Sequence, residues 1–326
     1  MTFISLAAGF VLLFFGGEIV VRGAVALAQR FGVSPLVIGL TIVGFGTSLP
    51  ELLVSLNAAL AGAPGIAVGN VVGSNIANTM LILGAAALVC PIVVSPDAVQ
   101  RDGLAMVGVT AVFIIIAMGG SAEAHEGVFM VAVLALYVGV SLWRDMRADD
   151  AAAQLHREEA EELTGLPRRL WLMIAATLGG FAAVGFGAEL LVGGATALAM
   201  SAGIPEEVIG LTLVAVGTSL PELATSMVAA YRGHSDVCLG NVIGSNIFNL
   251  FGILGITAIA TPVPFAEKIV EFDLWVLAGV TVLLIPFLMS GWRLSRVEGS
   301  ILIALYAVYV ACQFWGMSGA YAAGQT

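Results

Sequence analysis

The sequence predicts an all-α integral membrane protein with ten transmembrane helices in two inverted five-helix repeats. Of its 326 residues, 60% are hydrophobic and only 10% are charged, whereas soluble domains average about a quarter charged residues. Apolar stretches of about 20 residues, the length that spans a bilayer core, recur along the chain. The hexapeptide GTSLPE occurs at Gly46–Glu51 and again at Gly217–Glu222.

Ten candidate helices follow from the apolar runs between polar residues and Pro or Gly breaks. They lie near residues 3–21, 36–60, 66–90, 104–118, 127–143, 171–198, 207–230, 237–260, 270–290 and 299–316. The first lacks a preceding basic region, so we expect a membrane helix rather than a cleaved signal peptide. No basic residue falls inside any of these predicted spans.

The basic residues predict the orientation in the membrane. With the N-terminus outside, 11 of the 12 Lys and Arg residues fall on the cytoplasmic side, and only Lys268 falls outside. Cytoplasmic loops carry the excess of Lys and Arg. We therefore expect a multi-pass protein of the inner (plasma) membrane with both termini periplasmic or extracellular. The hydrophilic loop 144–170 is expected to be cytoplasmic, as a solvated tether rather than a regulatory element.

An internal repeat divides the chain. Residues 37–84 align without gaps to 208–255, and 28 of the 48 positions are identical. Because each half contains five helices, an odd number, the second half enters the membrane from the opposite side. This organisation predicts a first repeat at 1–143, a charged loop at 144–170 and a second repeat at 171–326. Inverted repeats of this kind place a substrate site at the midplane, on interrupted helices.

The GTSLPE motif places carboxylates deep in the membrane. Glu51 and Glu222 lie about 15 residues into their spans, where carboxylates are costly and usually line a functional cavity. Hydroxyls three and four residues away share their helical faces. These are Thr47 and Ser48 in the first copy and Thr218 and Ser219 in the second. Ser55 and Ser226 lie one turn further along, where they are either ligands or partners in interhelical hydrogen bonds. Pro50 and Pro221 should free the carbonyls of Gly46 and Gly217.

The helix after each motif carries a polar stripe. Its members are Asn70, Ser74 and Asn78 in the first repeat and Asn241, Ser245 and Asn249 in the second. Glycines at GxxxG spacing on the same helices predict close packing against the GTSLPE helices. Asn75 and Asn246 leave the stripe, and we expect them to brace helix packing. For Glu18 and Glu189, which lack this oxygen-rich context, we expect a gate or a water-exposed crevice.

These side chains predict a site for hard cations. Carboxylate, hydroxyl, amide and carbonyl oxygens suit Ca²⁺, Mg²⁺ and Na⁺, and none of the candidates is His, Cys or Met. Two carboxylates balance one divalent ion, or the cavity could hold several monovalent ions. We expect no cofactor, because the ions are the cargo, and no obligate protein partner beyond the lipid bilayer. The scarcity of basic residues argues against nucleic-acid binding, and the chain lacks a nucleophile–base pair or phosphate loop that would indicate an enzyme.

At these motifs the sequence resembles the sodium/calcium exchanger membrane family of the calcium/cation antiporter superfamily. The paired GTSLPE and GSNIxN motifs carry the resemblance, which covers the transmembrane chain and is strongest over 36–84 and 207–255. It implies a ten-helix fold of two inverted halves, with ligands on the second, third, seventh and eighth helices. It also implies that the first and sixth helices slide across a rigid core.

The resemblance implies a ligand set. It comprises Thr47, Ser48, Glu51, Ser74, Asn78, Thr218, Ser219, Glu222 and Ser245, with the carbonyls of Gly44 and Ala215. Asn249 is included as the counterpart of Asn78. Many sodium/calcium exchangers have Asp there, so this site is more symmetric and has one ionisable group fewer, which leaves the coupling ion, the stoichiometry and any K⁺ dependence open.

The leading hypothesis is Na⁺/Ca²⁺ antiport by alternating access at a midplane site. The alternative is a proton-coupled Ca²⁺ or other divalent cation exchanger, in which Glu51 and Glu222 carry the protons. A channel would need a continuous pore, and inverted repeats around one site favour exchange.

Overall fold

A computed structural model describes residues 2–147, 169–201 and 215–323, and the described chain is almost entirely helical. Its helices are α1 (Thr2–Phe31), α2 (Leu36–Thr47), α3 (Leu49–Leu60), α4 (Pro64–Val89), α5 (Pro96–Met118), α6 (Ala124–Arg147), α7 (Leu170–Ser201), α8 (Ala215–Thr218), α9 (Leu220–Tyr231), α10 (Ser235–Ala260), α11 (Ile269–Trp292) and α12 (Arg296–Ala323). Four two-residue strands lie in the connections: β1 (Ile92–Val93), β2 (Ser121–Ala122), β3 (Val263–Pro264) and β4 (Arg293–Leu294).

The helix lengths confirm the all-α membrane fold. In the described residues, eight helices are long and apolar enough to cross a membrane, and α2 with α3 makes a ninth span that bends by 45°. The span predicted at 207–230 is described only as α8 and α9, because residues 202–214 lie outside the described part of the chain. The predicted central loop 144–170 likewise lies mostly outside it.

Three predicted helix ends are wrong, and one of them is the end of α12, which lies at Ala323 rather than near residue 316. Helix α1 continues to Phe31 rather than ending near residue 21, so Arg22 lies inside a membrane helix. Its charge does not end the helix because Glu18, one turn earlier, pairs with it. Helix α5 begins at Pro96 rather than near residue 104, and the Ser95 side chain caps it by accepting the Ala98 N–H.

Short antiparallel strand pairs connect the predicted loops. Strand β1 pairs with β4, and β2 pairs with β3. The Val93 N–H also donates to Ser235 Oγ (3.1 Å), at the first residue of α10. Strand β1 thus joins three connections: α4 to α5, α9 to α10, and α11 to α12. In the predicted ten-helix topology these three lie on one side of the membrane. The connections α5 to α6 and α10 to α11, which β2 and β3 join, lie on the other side. The pairings agree with that alternation.

Each GTSLPE segment interrupts its helix at the serine. Ser48, between α2 and α3, has φ −85° and ψ 8°, and Ser219, between α8 and α9, has φ −86° and ψ 6°. Pro50 and Pro221 then stand in the first turn of the following helix, where a missing N–H costs no hydrogen bond. The breaks thus expose helix ends next to the two glutamates.

The helices with the polar stripes contain π-helical turns at matching places. These turns cover Asn78–Ile82 in α4 and Phe248–Ile253 in α10, and a third lies in α2 at Gly39–Val43. A π turn inserts one residue into the helical repeat and often marks a functional site. Asn78 and Asn249 both lie within these π turns.

Gly240 and Gly244 bring α10 into close contact with α2. A Cβ atom at Gly240 would lie 2.5 Å from the Leu36 carbonyl oxygen, and one at Gly244 would lie 2.2 Å from that of Leu40. The predicted GxxxG packing therefore holds in the second repeat. For Gly69 and Gly73 the segment that matches the start of α2, residues 207–211, lies outside the described residues.

We predict that Gly244→Ala destabilises the protein. The methyl group would collide with backbone atoms, and overpacking typically costs about 1–3 kcal/mol. Gly108→Ala is the matched control, because a Cβ atom at Gly108 would meet nothing within 4 Å and alanine favours a helix. The unfolding midpoint in detergent should fall for Gly244→Ala and hold or rise for Gly108→Ala. Equal midpoints would contradict the packing argument.

Candidate cation site

The two glutamates of the motifs lie at the breaks and are held by the opposite repeat. Both Glu51 and Glu222 are 0% exposed. The Ser48 hydroxyl donates to Glu222 Oε1 (2.7 Å), and the Ser219 hydroxyl donates to Glu51 Oε1 (3.2 Å). Each serine thus binds the carboxylate of the other repeat, and the four predicted site residues form one cluster.

Several buried oxygens of this region have no hydrogen-bond partner among the described residues. They are Glu51 Oε2, Glu222 Oε2, Ser74 Oγ, Asn78 Oδ1 and Asn249 Oδ1. A buried polar atom without a partner costs about 1–3 kcal/mol, and more when it is charged. Such atoms are explained when an ion or water completes their coordination. The unpartnered oxygens belong to predicted ligands from both repeats.

The threonines of the motif bond across the repeats to the stripe asparagines. Thr47 Oγ1 lies 3.2 Å from Asn241 Oδ1 and 3.0 Å from the Val43 carbonyl oxygen. Thr218 Oγ1 lies 3.3 Å from Asn70 Oδ1. Both hydroxyls therefore border the glutamates, and each is already engaged by protein oxygen.

Asn70 and Asn241 act as braces rather than as free donors. The Asn70 amide donates to the Glu51 carbonyl (3.3 Å) and to Ser55 Oγ (3.0 Å). The Asn241 amide likewise donates to the Glu222 carbonyl (3.3 Å) and to Ser226 Oγ (2.8 Å). Ser55 and Ser226, left open by the sequence, therefore belong to the bracing network. The sequence could not separate the braces from ligands, because all share the same four-residue spacing.

One predicted backbone ligand is already linked to a predicted side-chain ligand. Ser245 Oγ donates to the Gly44 carbonyl (3.1 Å), which joins α10 to the helix before the first break. In the other repeat, Ala215 is the first residue of α8, and the hydroxyl of Ser74 has no partner within the described ranges. Within those ranges the two repeats therefore differ at this position.

Asn75 and Asn246, both expected to brace helices, behave differently. The Asn246 amide donates to Thr79 Oγ1 (2.8 Å) and contacts Met106 Sδ (3.6 Å), which ties α10 to α4 and α5. Both side-chain polar atoms of Asn75 are buried without a partner in the part of the chain that the structure describes. In that part, bracing is observed for Asn246 and not for Asn75.

Glu18 and Glu189 also differ. Glu189 is exposed, whereas Glu18 is buried between Arg22 (2.6 Å to Nε) and Arg232 (2.8 Å to Nε). This burial is inconsistent with a water-exposed crevice at Glu18 and leaves the expectation of a gate. The Glu18 carboxylate raises the pKa of the Arg232 guanidinium. The sequence missed this ion pair because Arg232 is 214 residues away along the chain.

The donor types favour hard cations. Among the described residues, no three His, Cys, Asp or Glu side chains come together. The cluster offers two carboxylates with hydroxyl and amide oxygens, which suit Ca²⁺ and Na⁺ and are poor for softer metals.

Comparison with known proteins identifies the family. The family model described as sodium/calcium exchanger protein matches residues 1–143 and 172–315. The chain belongs to the sodium/calcium exchanger family. It is 39% identical to the sodium/calcium exchanger MaX1 of Methanosarcina acetivorans, over 97% of this chain and 99% of that protein. It is 38% identical to the inner membrane protein YrbG of Escherichia coli, over 95% and 96% of the two chains.

A solved structure of the sodium–calcium exchanger NCX_Mj, soaked without Na⁺ and Ca²⁺, has a similar fold. The TM-score is 0.83 at 32% identity, and the match covers 95% of this chain and 98% of that one. This exchanger is therefore a multi-pass membrane cation antiporter and not an enzyme.

We predict that Glu18→Gln and Glu189→Gln have different effects, although the two positions are equivalent in the repeats. Loss of the Glu18 charge leaves two arginines beside a neutral group at the contact between α1 and the end of α9. The substitution should lower the free energy of unfolding by about 1–3 kcal/mol. This is less than for a fully buried ion pair, because both arginines reach solvent. Glu18→Gln should lower the unfolding midpoint and alter the transport rate, and Glu189→Gln should change neither. Matching behaviour of the two variants would contradict a role for the ion pair.

Proposed function

We propose that this exchanger moves Ca²⁺ against Na⁺ by alternating access at the site between the two breaks. Its relatives bear the name sodium/calcium exchanger. The observation that supports the proposal most directly is the group of buried oxygens that lack protein partners on both repeats.

We propose as ion ligands the twelve residues named from the sequence. They are Thr47, Ser48, Glu51, Ser74, Asn78, Thr218, Ser219, Glu222, Ser245 and Asn249, with the carbonyls of Gly44 and Ala215. Ca²⁺ takes six to eight oxygens, and two carboxylates neutralise its charge. The free Oε2 atoms of Glu51 and Glu222 and the free Oδ1 atoms of Asn78 and Asn249 support a nearly symmetric core of this set.

The close contact between the long helices α1 and α7 supports the proposal that these two helices move together as one body. A Cβ at Gly16 would lie 2.9 Å from the Val184 backbone nitrogen, and one at Gly180 would lie 2.9 Å from that of Val20. The two backbones are therefore in direct contact along a glycine seam. The Phe181 ring of α7 lies against Gly46, beside the first break. A slide of this pair would cover and uncover the site from alternate sides.

The proposed orientation places the N-terminus outside and the central loop in the cytoplasm. It rests on the distribution of Lys and Arg. In this orientation, the ion pair of Glu18 with Arg232 lies at the cytoplasmic end of α1 and α9 and would hold that end closed.

The second candidate is proton coupling through the same two glutamates. A fully buried carboxylate that loses its cation must be neutralised in some other way, and a proton does this at the lowest cost. Proton competition with Ca²⁺ is therefore expected even when Na⁺ is the coupling ion. K⁺ remains a further possible co-substrate.

In proteoliposomes, we predict that ⁴⁵Ca²⁺ uptake depends on an outward Na⁺ gradient. Replacement of internal Na⁺ by K⁺ or choline at constant pH should reduce uptake to background. A pH gradient imposed without Na⁺ provides the discriminating arm. Uptake that follows the proton gradient and ignores Na⁺ would reject sodium coupling in favour of the second candidate.

We predict that Glu51→Gln and Glu222→Gln each abolish Ca²⁺ exchange. Each substitution keeps the size of the side chain and removes one of the two charges that balance the divalent ion. Glu271→Gln, at an exposed position, changes the net charge equally and should transport normally. Near-normal exchange by both buried variants would remove the basis of the proposed site.

A further inference from the structure

A groove of about 280 Å³ lies between α5 and α6, on the outer surface of the helix bundle and away from the cation site. Arg101 and Ala105 line it from α5, and Val133, Tyr137, Val140 and Arg144 line it from α6. Arg144 lies 20 residues after Ala124, the first residue of α6. At 1.5 Å per residue this is about 30 Å, the thickness of a bilayer core. The basic end of the groove therefore lies at headgroup level.

Arg101 is fixed at this end by a buried acid. Its Nε and Nη2 atoms donate to the two carboxylate oxygens of Asp102 at 2.9 Å each, and the Tyr137 hydroxyl donates to Asp102 Oδ1 (3.0 Å). The Asp102 side chain is 0% exposed, whereas that of Arg101 remains 26% exposed. The guanidinium is thus held in a defined position at the surface.

Among the described residues that line the groove, Arg144 leaves a net positive charge. Arg101 and Asp102 cancel each other, and among the described residues Arg144 has no ion-pair partner and is exposed. The Arg144 guanidinium, with the fixed Arg101 guanidinium in the same groove, suits a phosphate group, because phosphate oxygens accept several hydrogen bonds from such donors.

The surroundings of the groove are apolar. Leu136 is 66% exposed, Val140 is 38% exposed and Trp143 is 54% exposed, and all three lie on α6. In a membrane protein such side chains face acyl chains, and tryptophan is typical of the interface. A ligand of this groove therefore meets lipid-facing apolar surface below its charged end.

The second repeat shows that the fold does not require the arginines. There, buried Asp273 accepts from the Tyr309 hydroxyl (2.9 Å) and from Gln313, in place of the Asp102–Tyr137 pair. The residue before Asp273 is Phe272, which stacks on Tyr309 where the first repeat has Arg101. The Asp–Tyr pair is thus common to both repeats, and the guanidinium is specific to the first.

We propose that this groove binds an anionic phospholipid. Arg101 and Arg144 would hold the phosphate, and an acyl chain would lie along Ala105, Val133 and Val140. Basic pockets between transmembrane helices on the cytoplasmic side bind anionic headgroups in this way. The site is separate from the cation site, so it does not depend on which ions are exchanged.

The test compares lipid binding to the delipidated, purified exchanger by native mass spectrometry. Phosphatidylglycerol should bind more tightly than phosphatidylcholine, and inorganic phosphate should not compete at comparable concentrations. Arg144→Gln should weaken phosphatidylglycerol binding about fivefold, the value expected for one basic residue near the membrane surface. Arg293→Gln is the matched control, because Arg293 is exposed on β4 and lies outside the groove.

A second variant tests the apolar part of the groove without a change in charge. Ala105→Phe should fill the groove and weaken phosphatidylglycerol binding, with little effect on the unfolding midpoint. The proposal is overturned by equal binding of the two lipids, by equal losses in Arg144→Gln and Arg293→Gln, or by undiminished binding in Ala105→Phe. Competition by inorganic phosphate would show an anion site without a role for lipid and would also overturn it.

Discussion

Two crossed hydrogen bonds organise the centre of this exchanger: Ser48 donates to Glu222, and Ser219 donates to Glu51. A carboxylate inside a bilayer is costly unless it is partnered. Each bond satisfies one carboxylate oxygen, and the other has no partner among the residues that the structure describes. The serines can reach across only because each helix is interrupted at that residue. The prolines lie in the first turn after the breaks, and Asn70 and Asn241 hold the backbone carbonyls of the two glutamates.

Near-symmetry at the centre contrasts with asymmetry around it. Ser245 donates to the Gly44 carbonyl, whereas Ser74 has no partner within residues 2–147, 169–201 and 215–323. Glu18 is locked by arginines, whereas its repeat counterpart Glu189 is exposed. Two inverted repeats that adopt different local conformations make one end of a transporter unlike the other. Ions shift such an equilibrium only by binding the two states with different affinity.

Helix α5 lies close to both sites that we propose. Near its start it carries Arg101, which lines the groove and pairs with buried Asp102, and one turn later Met106 contacts the Asn246 amide. Asn246 is three residues from Asn249, one of the proposed ligands. This contact gives the lipid groove and the cation site a shared structural element, and the α10 backbone connects them.

The sequence by itself determined the membrane fold, the repeat and the candidate oxygens. Hydrophobic runs of bilayer length and the 28 identities between repeats are local properties of the chain, and they persist whatever the packing. Only the tertiary structure decided which oxygens are free. Asn70 and Asn78 share one helical face and one residue type, yet Asn70 braces Glu51 and Asn78 has no partner in the described part of the chain. The ion pair of Glu18 with Arg232 was equally invisible, because residues 214 apart meet only when α1 packs beside α9. Periodicity specifies the face of a helix, and only packing between helices specifies what that face meets.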